Sequence, residues 1–286
     1  MTTIPTFAVA GLFKNEAHAL VEWVEHYLGH GADHLILIDD GSTDGGPARL
    51  VPFVARGVVT LLTVTPDANN DDFNAKGRQT RIYESLLRPL VSRWDWFAAL
   101  DLDEFLYVPG VLDTRRALAC VDPTVSQILV DWVHFGSNGH VTQPSSIVAG
   151  FTRRAFLTTH TDQYYSFKSL VRTSALVALG IHRHEVRGPT VRISWSSLGA
   201  DEGSGARTSC TAENTIMFLI NHYSIQSEEY WRDVKMTRGD VNRWHTPVAR
   251  DMAWFHAFDR NETDDYALRN INEAAGITKV GLGNTK

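Results

Sequence analysis

A pair of carboxylates two residues apart follows a short apolar run near the middle of the chain. The run is Trp96 to Leu100, and Asp101 and Asp103 come directly after it, with Glu104 beside them. A short, aromatic-rich and continuously apolar segment is typical of a strand buried on both faces of a parallel sheet. If strand geometry persists, both Asp side chains point the same way while Leu102 points into the core. Carboxylates at the carboxyl end of such a strand predict a site for a hard divalent cation and a diphosphate.

A second acidic segment, DDGSTDG, follows the apolar run His34 to Ile38 and begins with Asp39 and Asp40. A polar loop after an earlier apolar run, Phe7 to Phe13, has the sequence KNE. Its residues are Lys14, Asn15 and Glu16. Gly, Ser and Asp also form ordinary tight turns, so a turn without a ligand is the alternative. Carboxylates accept hydrogen bonds from ribose hydroxyls or a base N–H, and the two loops together therefore predict a nucleoside pocket.

Strands and helices alternate through the first hundred residues, and this order must position the two acidic segments. The predicted elements are a strand 7–13, a helix 17–28, strands 34–38 and 58–64, a helix 76–91 and the strand 96–100. A right-handed crossover places the KNE and DDGSTDG loops on the same edge of a parallel sheet. The alternation predicts an α/β fold with a three-layer, mostly parallel, Rossmann-like sheet.

The second half of the chain is less regular. Short alternating segments between 145 and 205 predict a smaller mixed sheet, and a helix near 264–275 predicts a C-terminal helical segment. We expect one main domain, residues 1–240, with residues 241–286 as an extension packed on the same domain.

The composition excludes several classes of protein. The chain has 286 residues, is 43% hydrophobic and carries a formal net charge of −6, which argues against broad nucleic-acid or anionic-membrane binding. No run approaches the roughly 20 apolar residues of a membrane span, and the N-terminus lacks the basic region of a signal peptide. Cys120 and Cys210 are the two cysteines, and we expect them to be separate core or surface residues. A cytoplasmic protein without a transmembrane segment is the expectation.

Several segments in this order resemble the bacterial glycosyltransferases of families 2 and 92, which have the GT-A fold. They are FKNEAHALVEWVEHYLGHGADHLILIDDGSTDG, DWFAALDLDEFLYVP, WVHFGSNGH, FKSLVR and INHYSIQSEEYWRDVKMTRG, and they extend over residues 7 to 240. The resemblance implies a glycosyltransferase of the hexosyltransferase type that takes a nucleotide-sugar donor, by default a UDP-sugar. The acceptor implied is a hydroxyl of a glycan or polysaccharide precursor.

The resemblance also implies roles for particular residues. Asp101 and Asp103 correspond to the DxD pair that holds Mn²⁺ or Mg²⁺ against the donor diphosphate, whose developing charge needs a cation. Asp39 and Asp40 would lie by the nucleoside with Lys14, Asn15 and Glu16 facing them. Lys235 or Arg238 would clamp the diphosphate. His222 stands where many GT-A enzymes bring a C-terminal His to the metal, and a neutral imidazole suits Mn²⁺ better than Mg²⁺.

An inverting transfer needs a general base, and a carboxylate is the usual one. The chain departs here from the family 2 pattern, because no clear Glu-Asp pair follows the Gly-containing loop. Glu185 and Asp131 are the preferred candidates, with Asp201 and Glu202 next.

Two other functions remain open from the sequence. A nucleotidyltransferase or phosphohydrolase could use the same acidic strand end, although a Gly-rich phosphate loop is not evident. A non-catalytic nucleotide-sugar or glycan-binding protein could retain the fold, since a fold and partial motifs do not prove turnover.

Overall fold

The structure is a computed structural model that describes residues 3–64, 77–156, 167–193, 218–238 and 250–277, with the backbone alone of 209–211, 214–215 and Arg238. Its architecture is α/β with one large, mostly parallel sheet, which confirms the predicted fold class. None of the helices in these ranges is long and apolar enough to cross a membrane.

The strands in chain order are β1 (Phe7–Phe13), β2 (His34–Asp39), β3 (Val59–Thr63), β4 (Trp96–Ala99), β5 (Glu104–Tyr107), β6 (Gln127–His134), β7 (Arg153–Arg154), β8 (Phe167–Arg172), β9 (Leu176–Ala178), β10 (Glu185–Val186), β11 (Thr190–Ile193), β12 (Ser209–Thr211), β13 (Asn214–Thr215), β14 (Leu219–His222) and β15 (Thr263–Asp264). The helices are α1 (Ala17–Gly29), α2 (Gly46–Arg49), α3 (Val51–Ala55), α4 (Arg78–Ile82), α5 (Arg88–Val91), α6 (Thr114–Leu118), α7 (Ile147–Gly150), α8 (Glu228–Tyr230), α9 (Met236–Arg238), α10 (Met252–Phe258) and α11 (Ala267–Ala274). Two π-helical segments, Tyr83–Leu87 and Trp231–Lys235, join α4 to α5 and α8 to α9.

The main sheet has the order β3-β2-β1-β4-β8-β6-β14-β5, and β11 pairs with the first half of β6. Strands β3, β2, β1 and β4 run parallel to one another. Strand β8 is antiparallel to both of its neighbours, β4 and β6. Strand β14 is parallel to β6, and β5 is antiparallel to β14. Strand β5, which begins at Glu104, therefore lies at the far edge of the sheet, four strands from β4.

Two apolar clusters cover the faces of this sheet. The larger contains the inward face of α1, with Trp23 and Tyr27 against Trp96 of β4. The other contains Tyr83 and Leu87 from the π-helical segment. The alternation of β1 residues between the two clusters is the pattern expected of a strand buried on both faces.

Helix α1 also fixes the backbone of the acidic turn, which we define as Leu100–Glu104. The Trp23 indole N–H donates to the carbonyl oxygen of Asp101 at 3.1 Å. The Tyr27 hydroxyl donates to the carbonyl oxygen of Glu104 at 2.9 Å and accepts from Leu106 N, also at 2.9 Å. These polar groups lie inside the core, where an unpaired carbonyl would cost free energy, so the helix and the turn hold each other in place.

The smaller sheets predicted for 145–205 are present as two-stranded antiparallel pairs, but part of this region joins the main sheet. Strands β8 and β11 belong to the main sheet, while β9–β10 and β7–β15 form small antiparallel pairs. The apolar content of β8, FKSLVR, suits its position between two strands and was not distinctive in the sequence.

The end of the described chain packs on the main domain. Helix α11 buries Leu268 in the larger cluster, and Asn272 Oδ1 lies 2.8 Å from Nε2 of His30, at the end of α1. Cys120 is disulfide-bonded, which corrects the expectation of two separate cysteines. The spacing of cysteines along the chain does not report their separation in the fold, and that is why the sequence misled here. The side chain of Cys210 lies outside the described part.

Replacing Trp23 by Phe removes one of the hydrogen bonds that the Asp101 carbonyl accepts, while Glu104 N still donates to it at 3.0 Å. We expect a loss of about 0.5–1.5 kcal/mol in the free energy of unfolding, the usual net contribution of one such hydrogen bond. Urea denaturation measures the change. Trp254, 46% exposed, gives the control, and Trp254→Phe should change stability by less than about 0.5 kcal/mol. Equal losses in the two variants would show that the hydrogen bond does not secure the turn.

Candidate active site

The KNE and DDGSTDG loops meet at one edge of the sheet, as the crossover argument predicted. Asn15 N donates to Ser42 Oγ at 3.0 Å, and Asn15 Oδ1 accepts from Thr43 N at 2.7 Å. Asn15 has a φ of 54°, the left-handed conformation that Asn tolerates better than most residues. The Asp44 carboxylate accepts from Ala17 N at 2.8 Å and so supplies a hydrogen-bond partner at the start of α1.

The two Asp residues of the second loop already have partners. Asp39 Oδ1 accepts from Ser42 N at 2.9 Å, which closes the turn. Asp40 accepts from both terminal nitrogens of Arg78, one of them at 2.6 Å. Both Asp side chains are buried, as is Glu16, and Lys14 is half-buried. Arg78 was not predicted as a site residue, because nothing in the sequence shows that the start of α4 returns to Asp40.

The acidic turn is not a continuation of β4. The strand ends at Ala99, and Glu104 N donates to the carbonyl oxygen of Asp101 at 3.0 Å. Leu102 points into the core as expected, at 1% exposure. The side chain of Asp101 is 38% exposed, whereas those of Asp103 and Glu104 are buried. The turn therefore gives its three carboxylates different environments.

Lys168 neutralises one side of the turn. This lysine is fully buried in β8, and its Nζ lies 3.0 Å from Asp101 Oδ2 and 3.7 Å from Glu104 Oε2. Burial opposes ionisation of Asp101, but Lys168 more than offsets it and holds the pKa of Asp101 below its ordinary value. Burial raises the pKa of Glu104 well above its ordinary value, and Lys168 only partly opposes that shift. Lys168 was not predicted as a site residue, and a lysine inside the otherwise apolar segment FKSLVR is the one signal that could have indicated this role.

Lys235 and His222 neutralise the other side. Lys235 Nζ lies 2.7 Å from Asp103 Oδ2, and His222 Nε2 lies 3.6 Å from Asp103 Oδ1. Burial opposes ionisation of Asp103, yet Lys235 and His222 together hold its pKa well below its ordinary value. Asp103 is therefore a carboxylate with a positive or hydrogen-bonding group at each oxygen.

A divalent cation fits this part of the turn. Ligand atoms of Asp103, Glu104 and His222 lie within 4.8 Å of one another. Glu104 Oε1 is buried without a hydrogen-bond partner, and so is His222 Nδ1. Two carboxylates and an imidazole form a donor set that suits Mn²⁺. Of the three ligands predicted from the sequence, the structure groups Asp103 and His222, with Glu104 as the third member, while Asp101 pairs with Lys168.

Strand pairing explains why His222 reaches the turn. On β14, His222 is the direct partner of Glu104 on β5 and of His134 on β6. Its ring centre lies 4.3 Å from that of Trp132. Directly paired residues share a face of a sheet, so β14 brings the imidazole next to the carboxylates.

Of the two preferred candidate bases, Asp131 faces away from this group. Asp131 alternates with Trp132 along β6 and so faces the opposite side of the sheet, where its Oδ1 lies 2.7 Å from Arg192 Nε. The geometry thus does not bring Asp131 to the acidic turn. Glu185 is exposed on the short strand β10. Asp201, Glu202 and the side chain of Arg238 lie outside the described residues.

Comparisons with known proteins identify a family and several partly similar proteins. The model of glycosyltransferase family 92 matches residues 6–203, which excludes His222 and Lys235. A family 92 protein of Oryza sativa subsp. japonica is 23% identical over 236 residues, which are 80% of this chain and 35% of that protein. The chain thus spans about a third of the length of that relative.

Two solved structures share part of the fold at low sequence identity. Residues 1–349 of S. aureus TarS in complex with UDP share 15% identity over 59% of this chain and 47% of that one, with a TM-score of 0.38. Glucosyl-3-phosphoglycerate synthase from Mycobacterium tuberculosis in complex with Mn²⁺, UDP and glucosyl-3-phosphoglycerate shares 14% identity over 60% and 58%, with a TM-score of 0.33. The family match extends over more than half of the sequence and includes both acidic segments, and the chain belongs to glycosyltransferase family 92.

Proposed function

We propose that this protein is a metal-dependent glycosyltransferase that passes a hexose from a nucleotide-sugar donor, a UDP-sugar, to a hydroxyl of a glycan or polysaccharide precursor. The observation that carries the proposal is the acidic turn itself. Asp103, Glu104 and His222 offer ligands for one cation, and Lys168 and Lys235 place two ammonium groups beside them. A nucleoside diphosphate leaving group needs this combination of charges.

Each group at the turn has a role in that reaction. Asp103, Glu104 and His222 would hold Mn²⁺ or Mg²⁺, which would supply positive charge for the leaving diphosphate. Lys235 or Arg238 donates to an oxygen of the diphosphate. Asp101 is partly exposed and lies next to Lys168, where it can accept a hydrogen bond from a donor hydroxyl.

The nucleoside end of the donor lies between the KNE and DDGSTDG loops. Asp39 and Asp40 accept hydrogen bonds from ribose hydroxyls or the base, and Lys14, Asn15 and Glu16 line the facing loop. The guanidinium of Arg78 donates to both oxygens of Asp40 and so fixes the orientation of that side chain.

Transfer with inversion needs a base on the acceptor side, and we propose Glu185 for it. Its exposure makes the carboxylate accessible to an acceptor hydroxyl, whereas Asp131 is buried and paired with Arg192. A base acts by removing the proton of the acceptor oxygen as that oxygen attacks the sugar.

A cytoplasmic location belongs to the same proposal, since a UDP-sugar donor is available there. The disulfide at Cys120 counts against it, because disulfides rarely persist in a reducing cytosol. Counting free thiols in protein isolated under alkylating conditions decides this point: two free thiols support the cytoplasm, and none contradicts it.

The metal requirement predicts that UDP and Mn²⁺ stabilise the protein together. At UDP near 100 times its dissociation constant, the free energy of unfolding should rise by about 2.7 kcal/mol with Mn²⁺ present and by much less in EDTA. Asp103→Asn should lose the Mn²⁺-dependent part, because a neutral amide is a poor ligand. Asp233→Asn, an exposed acidic residue near Lys235 in the chain, is the matched control and should behave as the wild type. Equal stabilisation by UDP with Mn²⁺ and with EDTA would contradict the metal requirement.

The assignment of the base predicts a specific kinetic defect. Glu185→Gln should lower kcat by roughly 10²- to 10⁴-fold while UDP affinity, measured by calorimetry, stays unchanged. Asp131→Asn removes a carboxylate of the opposite sheet face and should alter kcat much less. If Asp131→Asn proves the slower enzyme, or if Glu185→Gln transfers sugar at the wild-type rate, Glu185 is not the base.

A further inference from the structure

Lys235 forms an ion pair with Asp103, the carboxylate that is also a proposed ligand of the cation. Its Nζ is 2.7 Å from Asp103 Oδ2, and the lysine is only 5% exposed. The ammonium also lies 5.6 Å from the centre of the Tyr230 ring. In this state Asp103 is part of a buried, electrically neutral pair, and a cation that approaches it meets an ammonium group already in place.

The charges around the turn oppose binding of a free dication. Asp103 is matched by Lys235 and Asp101 by Lys168, so these two pairs add no net negative charge. A divalent cation would bring two further positive charges close to two ammonium groups, in surroundings where water screens poorly. The liganding atoms are present, but the electrostatic attraction for a cation alone is weak.

A diphosphate supplies the charge that is missing. Its two or more negative charges balance the cation, and its oxygens accept hydrogen bonds from an ammonium group. Lysine has three donors on a flexible four-carbon stem, so the ammonium can leave Asp103 for a nearby phosphate oxygen without a change of backbone. Lys235 ends the π-helical segment Trp231–Lys235, and such segments are frequent at functional sites.

We propose that Lys235 is an exchangeable counterion of Asp103. Lys235 forms an ion pair with Asp103 while the donor site is empty. When a divalent cation binds to Asp103, the Lys235 ammonium donates its hydrogen bond to the diphosphate instead. Cation and diphosphate therefore bind as a unit, and each raises the affinity of the other by the same factor. The inference rests on the proposed function in one respect, namely that the acidic turn receives a diphosphate.

Calorimetric titration of Mn²⁺ into the wild type and Lys235→Met, each with and without UDP, tests the exchange. In the wild type, UDP should tighten Mn²⁺ binding by roughly five- to hundredfold, a normal range for coupling between sites. In Lys235→Met, Mn²⁺ alone should bind at least several-fold more tightly, because its competitor for Asp103 is gone. The coupling factor between Mn²⁺ and UDP should fall, since the diphosphate has lost its ammonium partner.

Two further variants separate exchange from general effects of charge or folding. Arg232→Met removes a positive charge from the same segment, where Arg232 pairs with Glu228, and should leave Mn²⁺ affinity unchanged. Lys235→Gln removes the charge but keeps a hydrogen-bond donor for Asp103. We therefore expect this variant to retain the fold and to show the same gain in Mn²⁺ affinity.

The outcomes distinguish failure of the exchange from failure of the proposed function. If Mn²⁺ and UDP bind the wild type cooperatively but the Mn²⁺ affinity and coupling factor are unchanged in Lys235→Gln and Lys235→Met, Lys235 is a structural ion pair and the inference is overturned alone. If neither ligand binds the wild type, the proposed metal-dependent function fails and the inference fails with it.

Discussion

Two lysines compensate the clustered carboxylates of the acidic turn, of which Asp103 and Glu104 are buried and Asp101 is partly exposed. Removing a carboxylate from water costs several kcal/mol unless an opposite charge and hydrogen bonds compensate it. Lys168 supplies that compensation for Asp101, and Lys235 supplies it for Asp103. The sheet can therefore concentrate acidic groups at one edge without unfolding, and the same lysines are then in place for an anionic ligand. Under the proposed function, the stability of the apo protein and its affinity for a diphosphate depend on one set of charges.

The topology brings these groups together from distant parts of the sequence. The antiparallel strand β8 inserts next to β4 and carries Lys168 to the base of the turn, while β14 lies beside β5 and carries His222 to its side. Helix α1 fixes the backbone between them through Trp23 and Tyr27. A rigid turn matters because a cation site tolerates little misplacement of its ligands. The first strand-helix-strand unit supports both ends of the site, since it shapes the DDGSTDG loop and holds the acidic turn.

The sequence predicted the parts of this structure that depend on local pattern. The periodicity of 17–28 predicted α1, because a helix buried on one face repeats apolar residues every three or four positions. The apolar runs before Asp39 and Asp101 predicted β2 and β4, because a strand buried on both faces is continuously apolar. Lys168 and Arg78 could not be assigned in that way. Their roles follow from which strand lies next to β4 and from where α4 begins, and both are long-range properties. Glu104 entered the metal group because β5 pairs with β14, a contact between segments over a hundred residues apart.

The central claim is that the acidic turn binds one cation between Asp103 and His222 and a diphosphate next to Lys235. A crystal structure of the protein with UDP and Mn²⁺ tests it most directly, with the anomalous signal of manganese locating the ion. We expect manganese at about 2.0–2.3 Å from a ring nitrogen of His222 and from an Asp103 oxygen. We also expect Lys235 Nζ within hydrogen-bond distance of a phosphate oxygen rather than of Asp103 Oδ2. Manganese bound elsewhere, or a diphosphate held with the Lys235–Asp103 pair intact and no ion present, would contradict it.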